Sequence, residues 1–285
     1  MLAQLEVSLT VPEPERPSLT LPAELERRAE AMVNGEQTWL VPPAMDAATV
    51  ILLRPGKLGL EVLLQRRPQT MAFAGGMYVF PGGKVEKSDT IDAPWQGPSG
   101  YEPFQIPPQA QKTAHFRALT VAAARETWEE AGVPLITGPT YGQPDPGEPL
   151  LPWLLDRGGY VAGDCLRPWV HWVTPEVEER RFDVRFLVAA MPHATQAVDF
   201  GVETDDSVWV RPKDAANAAV AGQMPMLPPT LDALKQLADF QDVDSVLSDA
   251  SGRFPRPYLP RPFRNAAGKV RWRIEDAYSG EVIEE

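Results

Sequence analysis

The sequence predicts a mixed α/β fold of the α+β kind, in which a few helices pack on a mixed β-sheet. Apolar runs at 48–53 and 60–66 flank a turn at 54–57, which predicts a β-hairpin. Residues 109–131 contain no proline, are rich in alanine and precede a glycine, which predicts a helix with a glycine stop. Leucines recur at helical spacing in 230–240, which predicts an amphipathic helix. Strands mixed with a few helices favour an α+β or mixed-sheet α/β sandwich.

Shorter elements complete the predicted fold. A helix is predicted to end at Gly35, because proline stands near its start and glycine lies past its end. Residues 90–108 hold five prolines, and 133–160 are rich in proline and glycine, so both segments are predicted to be loops. The tail after residue 250 begins with basic residues and ends in a predicted hairpin. Further strands are predicted at 77–80, 169–173, 182–190 and 207–210.

The charge balance limits the partners of the chain. Lys and Arg number 27 and Asp and Glu number 39, which gives a formal net charge of −12. Nucleic acid and anionic membranes attract cationic surfaces, so we expect neither as the main partner. An anionic small molecule stays compatible if a metal ion bridges it to carboxylates. Proline accounts for 31 of the 285 residues, about twice its usual share, which predicts many irregular connections.

Cysteine content and the N-terminal residues indicate the compartment. Cys165 is the single cysteine of the sequence, which excludes an intramolecular disulfide and favours a reducing, cytoplasmic location. The N-terminal residues lack the basic start and long apolar run of a signal peptide. No apolar run approaches the length of a membrane-spanning helix, so no span is predicted.

Three carboxylates crowd one face of the predicted helix at 109–131. Glu126, Glu129 and Glu130 stand at positions i, i+3 and i+4, which share a helix face. They repel one another unless a cation neutralises them, and Mg²⁺ or Mn²⁺ prefers such oxygen ligands. Arg125 lies beside them and is a candidate to fix the helix through an ion pair. The alternative is an ordinary solvated acidic face.

A glycine turn and this acidic helix together resemble the box of the Nudix hydrolase family. That box is G-x5-E-x7-R-E-U-x-E-E-x-G-U, with U aliphatic. Gly83 begins the match, Asp89 takes the first acidic position, and residues 125–133 supply the second half. Asp89 replaces Glu, which shortens the arm that the resemblance expects to meet Arg125 and hold the helix, and Thr127 replaces an aliphatic residue. Thirty-five residues lie between Asp89 and Arg125 where the family has seven, so a long insertion is expected at about 90–117.

The resemblance implies a fold, a cofactor and site residues. The fold would be a Nudix-type α/β/α sandwich with a mixed β-sheet, and the cofactor Mg²⁺ or Mn²⁺. The glutamates at 126, 129 and 130 would bind the metal together with the carbonyl of Gly82, and Arg125 and Glu129 would serve catalysis. Glu203 stands six residues before Trp209, where Nudix enzymes often place an acid. Glu203 is therefore a candidate metal ligand or general base, the alternative being an acidic surface turn.

The segment 63–89 resembles the motif of the coenzyme A diphosphatase branch, which also has Asp at the acidic position. This resemblance implies hydrolysis of coenzyme A or acyl-coenzyme A to 3′,5′-ADP and (acyl-)phosphopantetheine. Arg66, Arg67 and Arg181 are candidates to bind the 3′-phosphate of such a substrate through bidentate contacts. Ordinary surface charge is the alternative for these three arginines.

Alternative functions remain within the same family. One is a Nudix pyrophosphatase for ADP-ribose, NADH or dinucleoside polyphosphates, and another is a non-catalytic Nudix-fold binding protein. The family pattern also implies a homodimer acting on a small nucleotide. We expect an N-terminal arm and short helix at 1–43, a Nudix domain at 44–245, and a C-terminal extension at 246–285. Trp95, Tyr101 and Phe104 are expected to pack the insertion onto the sheet rather than to contact a base.

Overall fold

A large mixed sheet forms the centre of the molecule. The computed structural model describes residues 23–71, 74–90, 93–105, 115–138, 144–145, 147–192 and 206–284. Its strands are β1 (Met45–Gly56), β2 (Gly59–Arg66), β3 (Tyr78–Val79), β4 (Gly82–Lys84), β5 (Trp95–Gln96), β6 (Ile136–Thr137), β7 (Tyr160–Ala162), β8 (Arg167–Val173), β9 (Phe182–Ala190), β10 (Asp206–Val210), β11 (Pro257–Arg264), β12 (Val270–Asp276) and β13 (Val282–Glu284). Its helices are α1 (Ala23–Asn34), α2 (Lys87–Thr90), α3 (His115–Ala131), α4 (Leu150–Arg157), α5 (Pro212–Val220), α6 (Pro228–Leu237) and α7 (Val243–Ala250).

Ten strands of the described residues belong to one sheet. Eight follow the order β10-β2-β1-β9-β8-β11-β12-β13, while β3 pairs with β2 and β4 pairs with β1. The β1–β9 and β8–β11 pairs are parallel and the other pairs of this sheet are antiparallel, so the sheet is mixed as predicted. The predicted hairpins β1–β2 and β12–β13 are confirmed.

The sheet opens between β1 and β2, and this opening positions the site. The two strands pair directly only where residues 53–56 meet 59–62. Toward the other end, β2 pairs with β3 and β1 pairs with β4. In the Phe-Pro-Gly-Gly sequence, Phe80 and Pro81 join β3 to β4 and the two glycines begin β4, so the backbone of this motif lies within the opening.

Helices cover both faces of the sheet, which confirms the sandwich. Ala48, Val50 and Leu52 of β1 belong to the core that contains α3 and α4. Ile51 and Leu53 belong to the opposite core, which contains α5, α6 and α7. This alternation is the period-two pattern of a strand buried on both faces. Among the described residues, none of the helices combines the length and the apolar character needed to cross a bilayer.

The insertion packs against the N-terminal half of α3. Trp95 donates from Nε1 to Thr120 Oγ1 at 2.9 Å, and the rings of Tyr101 and Phe116 meet edge to face. The Glu102 carboxylate accepts a hydrogen bond from the Phe116 amide, which satisfies a free N–H of the first helical turn. Trp95 and Tyr101 therefore pack as expected, although these contacts are with α3 and not with the sheet, and Phe104 is buried in the same core. Residues 106–114, which include the predicted start of the helix, lie outside the described residues.

Two loop predictions were wrong in part. The segment 133–160 contains the short strand β6 and the helix α4, whose apolar side chains Leu150, Trp153 and Leu154 pack into the α3 core. Proline precedes α4, where its missing N–H costs nothing because the first helical N–H groups have no partner. The segment 90–108 contains the two-residue strand β5, which pairs with β7 in a separate three-stranded sheet.

The C-terminal residues extend the main sheet. β11 pairs in parallel with β8 through Pro257 and Tyr258, and then pairs with β12 along its whole length. Pro260 and Pro262 interrupt the strand pattern in the sequence. They fit because β11 is paired with β8 only at its first two residues, so a missing N–H on that edge removes no ladder hydrogen bond.

Candidate active site

The acidic end of α3 lies against the glycine turn. In β4, Gly82 pairs with Thr49 and Gly83 pairs with Ala48 of β1. A Cβ atom on Gly83 would stand 2.4 Å from Oε1 of Glu126, and one on Gly82 would stand 2.4 Å from the carbonyl oxygen of Ala48. Both contacts are too short for a side chain. Gly83 therefore allows the close approach of the backbone to the Glu126 carboxylate, and Gly82 allows the close approach of β4 to β1.

Arg125 connects the two halves of the box. Its Nε donates to Oδ1 of Asp89 at 3.0 Å and its Nη2 donates to Oδ2 at 3.0 Å, which makes a two-point ion pair. Nη2 also donates to the carbonyl of Lys84 at 3.2 Å. Nη1 donates to Glu126 Oε1 at 2.8 Å and to Glu129 Oε2 at 3.1 Å. All five N–H donors of the guanidinium thus face an acceptor.

The Asp89 carboxylate, the acidic partner in this ion pair, is fully buried. Its side chain has 0% exposure, against 10% for Arg125. Oδ2 also accepts from the amide of Glu86 at 2.7 Å, which is the capping contact of the short helix α2. Burial lowers the pKa of Arg125, but the hydrogen bonds and charges of Asp89 and Glu126 outweigh it and hold the pKa above its usual value. The guanidinium therefore stays charged inside the site.

The three glutamates of α3 have different environments. Glu126 is mostly buried and Glu129 is the most open, with 15% and 45% of their side chains exposed. Glu130 accepts at Oε2 from the amide of Gly82 at 2.9 Å. Glu130 is thus fixed to the glycine turn and Glu126 to Arg125. Glu129 is also bonded to Arg125, but much of its side chain is open to solvent.

Negative charge exceeds positive charge around these glutamates. Burial raises the pKa of Glu129, and the charges of Glu86 and Asp89 raise it further, while Arg125 opposes them. Lys84, which pairs with Glu86 at 3.4 Å, is half exposed and contributes little. A cation near Glu129 would relieve this repulsion.

The donor set fits a hard divalent cation. Carboxylates from one helix face and backbone oxygens at a glycine turn are the ligands that Mg²⁺ and Mn²⁺ prefer. Within the described ranges, no three acidic, histidine or cysteine side chains converge as a preformed cage. The fit therefore rests on the chemistry of the donors and on the excess of negative charge. Glu126, Glu129, Glu130 and the turn at Gly82 are the groups that could hold the ion.

The remaining predicted site residues lie in different places. Arg66 ends β2 and donates from Nε to the carbonyl of Gly76 at 3.4 Å, while Nε of Arg67 is buried without a partner among the described residues. Arg181 is buried, and its Nε and Nη1 donate to the carbonyls of Thr174 and Pro42. These two nitrogens are therefore already used in the packing at the start of β9. Glu203 lies outside the described residues.

Two contributing groups escaped the sequence analysis. The Lys84 carbonyl accepts from Arg125, and no side-chain pattern reports a backbone acceptor. The amide of Glu86 binds Asp89 three residues later. That second contact had a signal, since an acidic residue three positions after a helix start is typical of a capping arrangement.

Comparison with known proteins agrees with this geometry. No protein-family model matches the chain. Putative nudix hydrolase 7 of Caenorhabditis elegans is 27% identical over 249 residues, which cover 83% of this chain and 73% of that protein. The human acyl-coenzyme A diphosphatase NUDT19 is 26% identical over 275 residues, which cover 80% of this chain and 72% of that protein. A crystal structure of a NUDIX hydrolase from Alicyclobacillus acidocaldarius matches 73% of this chain and 97% of its own, with 29% identity and a TM-score of 0.59.

The sandwich, the two halves of the box joined by Arg125 and these similarities support the resemblance to the Nudix hydrolase family. The resemblance predicted from the sequence is therefore confirmed. By its class the protein is a pyrophosphohydrolase, an enzyme that hydrolyses a phosphoric anhydride. Among its relatives are proteins named acyl-coenzyme A diphosphatase from human, Xenopus laevis and Gallus gallus.

Proposed function

We propose that this enzyme hydrolyses the pyrophosphate of coenzyme A or acyl-coenzyme A, giving 3′,5′-ADP and (acyl-)phosphopantetheine. The observation that carries catalysis is the Asp89–Arg125 pair, which aligns three glutamates with the glycine turn across the insertion. The substrate class is supported by the relatives named acyl-coenzyme A diphosphatase, one of which aligns with 80% of the chain. Asp89 also agrees with that branch, whose motif has Asp at this position.

The glutamates have separate tasks in this proposal. Glu126 and Glu130, together with the carbonyl of Gly82, hold Mg²⁺ or Mn²⁺. The ion, when bound, neutralises phosphate oxygens, polarises water and stabilises the leaving phosphate. Glu129 is the most exposed of the three, so it completes the ligand set or orients the attacking water and accepts its proton. Glu203 is the second candidate for that base.

Arg125 acts by holding these groups in place. It bonds to Glu126 and Glu129 through one nitrogen, so both carboxylates keep a fixed position on the helix. Its ion pair with Asp89 ties the helix to the segment that follows the glycine turn. Preorganised charges of this kind are the largest contribution to many enzymatic rate enhancements.

Arg66 and Arg67 are the proposed contacts for the 3′-phosphate. They follow Gln65, whose side chain contacts the last turn of α3, so they lie at the acidic end of that helix. The Nε of Arg67 is buried and has no partner among the described residues, so this donor of the guanidinium is not committed to the packing. Arg181 remains the weaker candidate, because its guanidinium already donates to two backbone carbonyls.

A substrate panel tests the proposal. Coenzyme A, acetyl-coenzyme A, ADP-ribose, NADH and diadenosine polyphosphates are each incubated with Mg²⁺ or Mn²⁺, and the products are identified by mass. We expect kcat/KM for the coenzyme A compounds to exceed the other values by at least about tenfold, which is about 1.4 kcal/mol of transition-state stabilisation. A higher value for ADP-ribose, NADH or a dinucleotide would assign the enzyme to that substrate instead. Binding without hydrolysis would indicate a non-catalytic protein.

A further inference from the structure

Gln65 is a buried amide at a position where strand β2 should carry an apolar residue. Val62 and Leu64 face the core of α5, α6 and α7, whereas Leu63 faces the core of α3. The period of two places Gln65 on the α3 side with Leu63. Gln65 is 0% exposed. Burying an unbonded amide costs about 1–3 kcal/mol on mutational scales, so the contacts of Gln65 must explain its presence.

Those contacts lead to the acidic end of α3. Nε2 of Gln65 donates to the carbonyl of Glu130 at 2.9 Å and, through a longer contact of 3.4 Å, to Oγ of Ser207 on β10. Ser207 is also the cross-strand partner of Gln65 in the sheet. Oε1 of Gln65 is buried and has no hydrogen-bond partner among the described residues.

The carbonyl of Glu130 needs a partner from outside the helix. It lies in the last turn of α3, where carbonyl groups lack an intrahelical N–H. Gln65 supplies that N–H from β2. The carboxylate of the same Glu130 accepts from the amide of Gly82 on β4. Glu130 is therefore held at its main chain by β2 and at its side chain by β4.

These two anchors lie on opposite sides of the opening in the sheet. Here β1 and β2 separate, and β3 pairs with β2 while β4 pairs with β1. The position of the Glu130 carboxylate relative to the glycine turn thus depends on the position of the helix end relative to β2. Gln65 donates a hydrogen bond that joins β2 to this helix end.

We propose that Gln65 is a positioning residue for the metal-binding carboxylates. Through Glu130 it fixes the end of α3 so that the glutamates keep the arrangement a divalent cation requires, and through Ser207 it ties this arrangement to β10. The inference deepens the proposed function and rests on it. It assigns no contact between Gln65 and the substrate.

Metal binding measured without substrate tests the inference. Mn²⁺ alone is titrated by calorimetry into wild type, Gln65→Leu, Ser207→Ala and the control Gln236→Leu. Leucine suits this core position of β2, so the Gln65→Leu variant should fold, and Gln65→Met serves if it does not. We expect Gln65→Leu to weaken Mn²⁺ binding by at least about tenfold, or about 1.4 kcal/mol, and to lower kcat with little change in KM.

The controls separate positioning from stability. Ser207→Ala keeps the bond to Glu130 and should retain binding within about threefold, or about 0.7 kcal/mol. Gln236→Leu removes an amide bonded to Asp232 on α6, and should leave Mn²⁺ binding unchanged. Unchanged Mn²⁺ binding by Gln65→Leu, with only a lower melting temperature, would overturn the inference and leave the proposed function standing. Absence of both Mn²⁺ binding and hydrolysis in wild type would overturn both.

Discussion

Arg125 and Asp89 form a two-point ion pair across 36 positions of the chain, with both N–O distances at 3.0 Å. The pair closes the box although the insertion separates its halves. Asp89 has a shorter side chain than the glutamate of the family box, yet both of its oxygens reach the guanidinium from the short helix α2. Because the Asp89 carboxylate is fully buried, the loss of either partner would leave an uncompensated charge inside the protein.

Replacing Asp89 by Asn should destabilise the fold. The change leaves a buried guanidinium without its main counter-charge, which typically costs about 3–5 kcal/mol. We expect about 3 kcal/mol, because Glu126 and Glu129 still bond to Arg125. Urea unfolding followed by tryptophan fluorescence measures this.

The matched control for Asp89 is Asp249→Asn. Asp249 pairs with Arg253 at a more exposed site, with 44% of its side chain accessible, so its loss should cost less than about 1 kcal/mol. Equal costs for the two variants would mean that the Arg125–Asp89 pair does not have the structural importance assigned to it.

Alanine at the two box glycines should have different effects. At Gly83 the new Cβ meets the flexible end of Glu126, so the fold should survive while the carboxylate moves and activity falls at least about tenfold. At Gly82 the Cβ meets the backbone oxygen of Ala48, which cannot move freely, so the free energy of unfolding should drop by about 1–3 kcal/mol. Thermal unfolding and initial rates distinguish the two effects.

Gly252→Ala is the control for the glycine variants. The nearest atom to its Cβ is the Asp249 carbonyl oxygen at 3.8 Å, which is an ordinary contact. Stability and activity should therefore stay near wild type. A Gly83→Ala variant with full activity would show that Glu126 need not keep its place beside the turn.

Much of the fold was predictable because its signals are local. The hairpin β1–β2 follows from apolar runs around a turn, and α3 follows from its alanine-rich, proline-free sequence. The helix α4 was hidden because prolines surround Leu150 and a proline before a helix resembles a loop signal. α7 was not predicted, although Asp242 caps it by accepting from the Ser245 amide.

The candidate site was predictable only as a pattern of residue types. The spacing of Glu126, Glu129 and Glu130 places them on one helix face, and the structure retains that face. Spacing alone could not give the long-range contacts. The family resemblance implied the pairing of Arg125 with Asp89, and the structure confirms it. The pairing of Gln65 with Glu130 was not predicted, because it depends on how the sheet opens. The approach of Gly83 to Glu126 is likewise a property of tertiary packing.

Acid should destabilise the protein partly through His171. Burial lowers the pKa of this imidazole to about 4; the hydrogen bond that it donates to Asp183 opposes this, and the charge of Arg185 adds to the lowering. The unfolded imidazole has a pKa near 6.5, so between these values the unfolded state binds more protons. The free energy of unfolding should therefore fall as pH falls from 7 toward 5, by at most about 1.4 kcal/mol per pH unit from this group.

Urea unfolding at pH 7, 6 and 5 measures that dependence. His171→Gln keeps a donor that can reach Asp183 but does not titrate, so its slope in this range should be smaller than that of wild type. The pKa of Asp46 is lowered to about 2, so loss of its contribution belongs to more acidic conditions. A variant slope equal to that of wild type would assign the acid sensitivity to other groups.

Removal of divalent metal should abolish hydrolysis without unfolding the protein. Excess chelator is expected to reduce the rate to background, and added Mg²⁺ or Mn²⁺ to restore it. Metal at about a hundredfold above its Kd should also stabilise the fold by about 2.7 kcal/mol, visible as a higher melting temperature. Full activity in excess chelator would be incompatible with the assigned role of the glutamates.

The rates of isosteric glutamate variants show whether these carboxylates carry the hydrolysis. Glu129→Gln and Glu130→Gln keep the size of each side chain and remove its charge, and the exposed Glu281→Gln, paired with Arg256, serves as the control. With coenzyme A and saturating Mn²⁺, we expect each site variant to lose at least about a hundredfold in kcat, while its unfolding curve stays near wild type and the control keeps full activity. Full activity in either site variant would contradict the account.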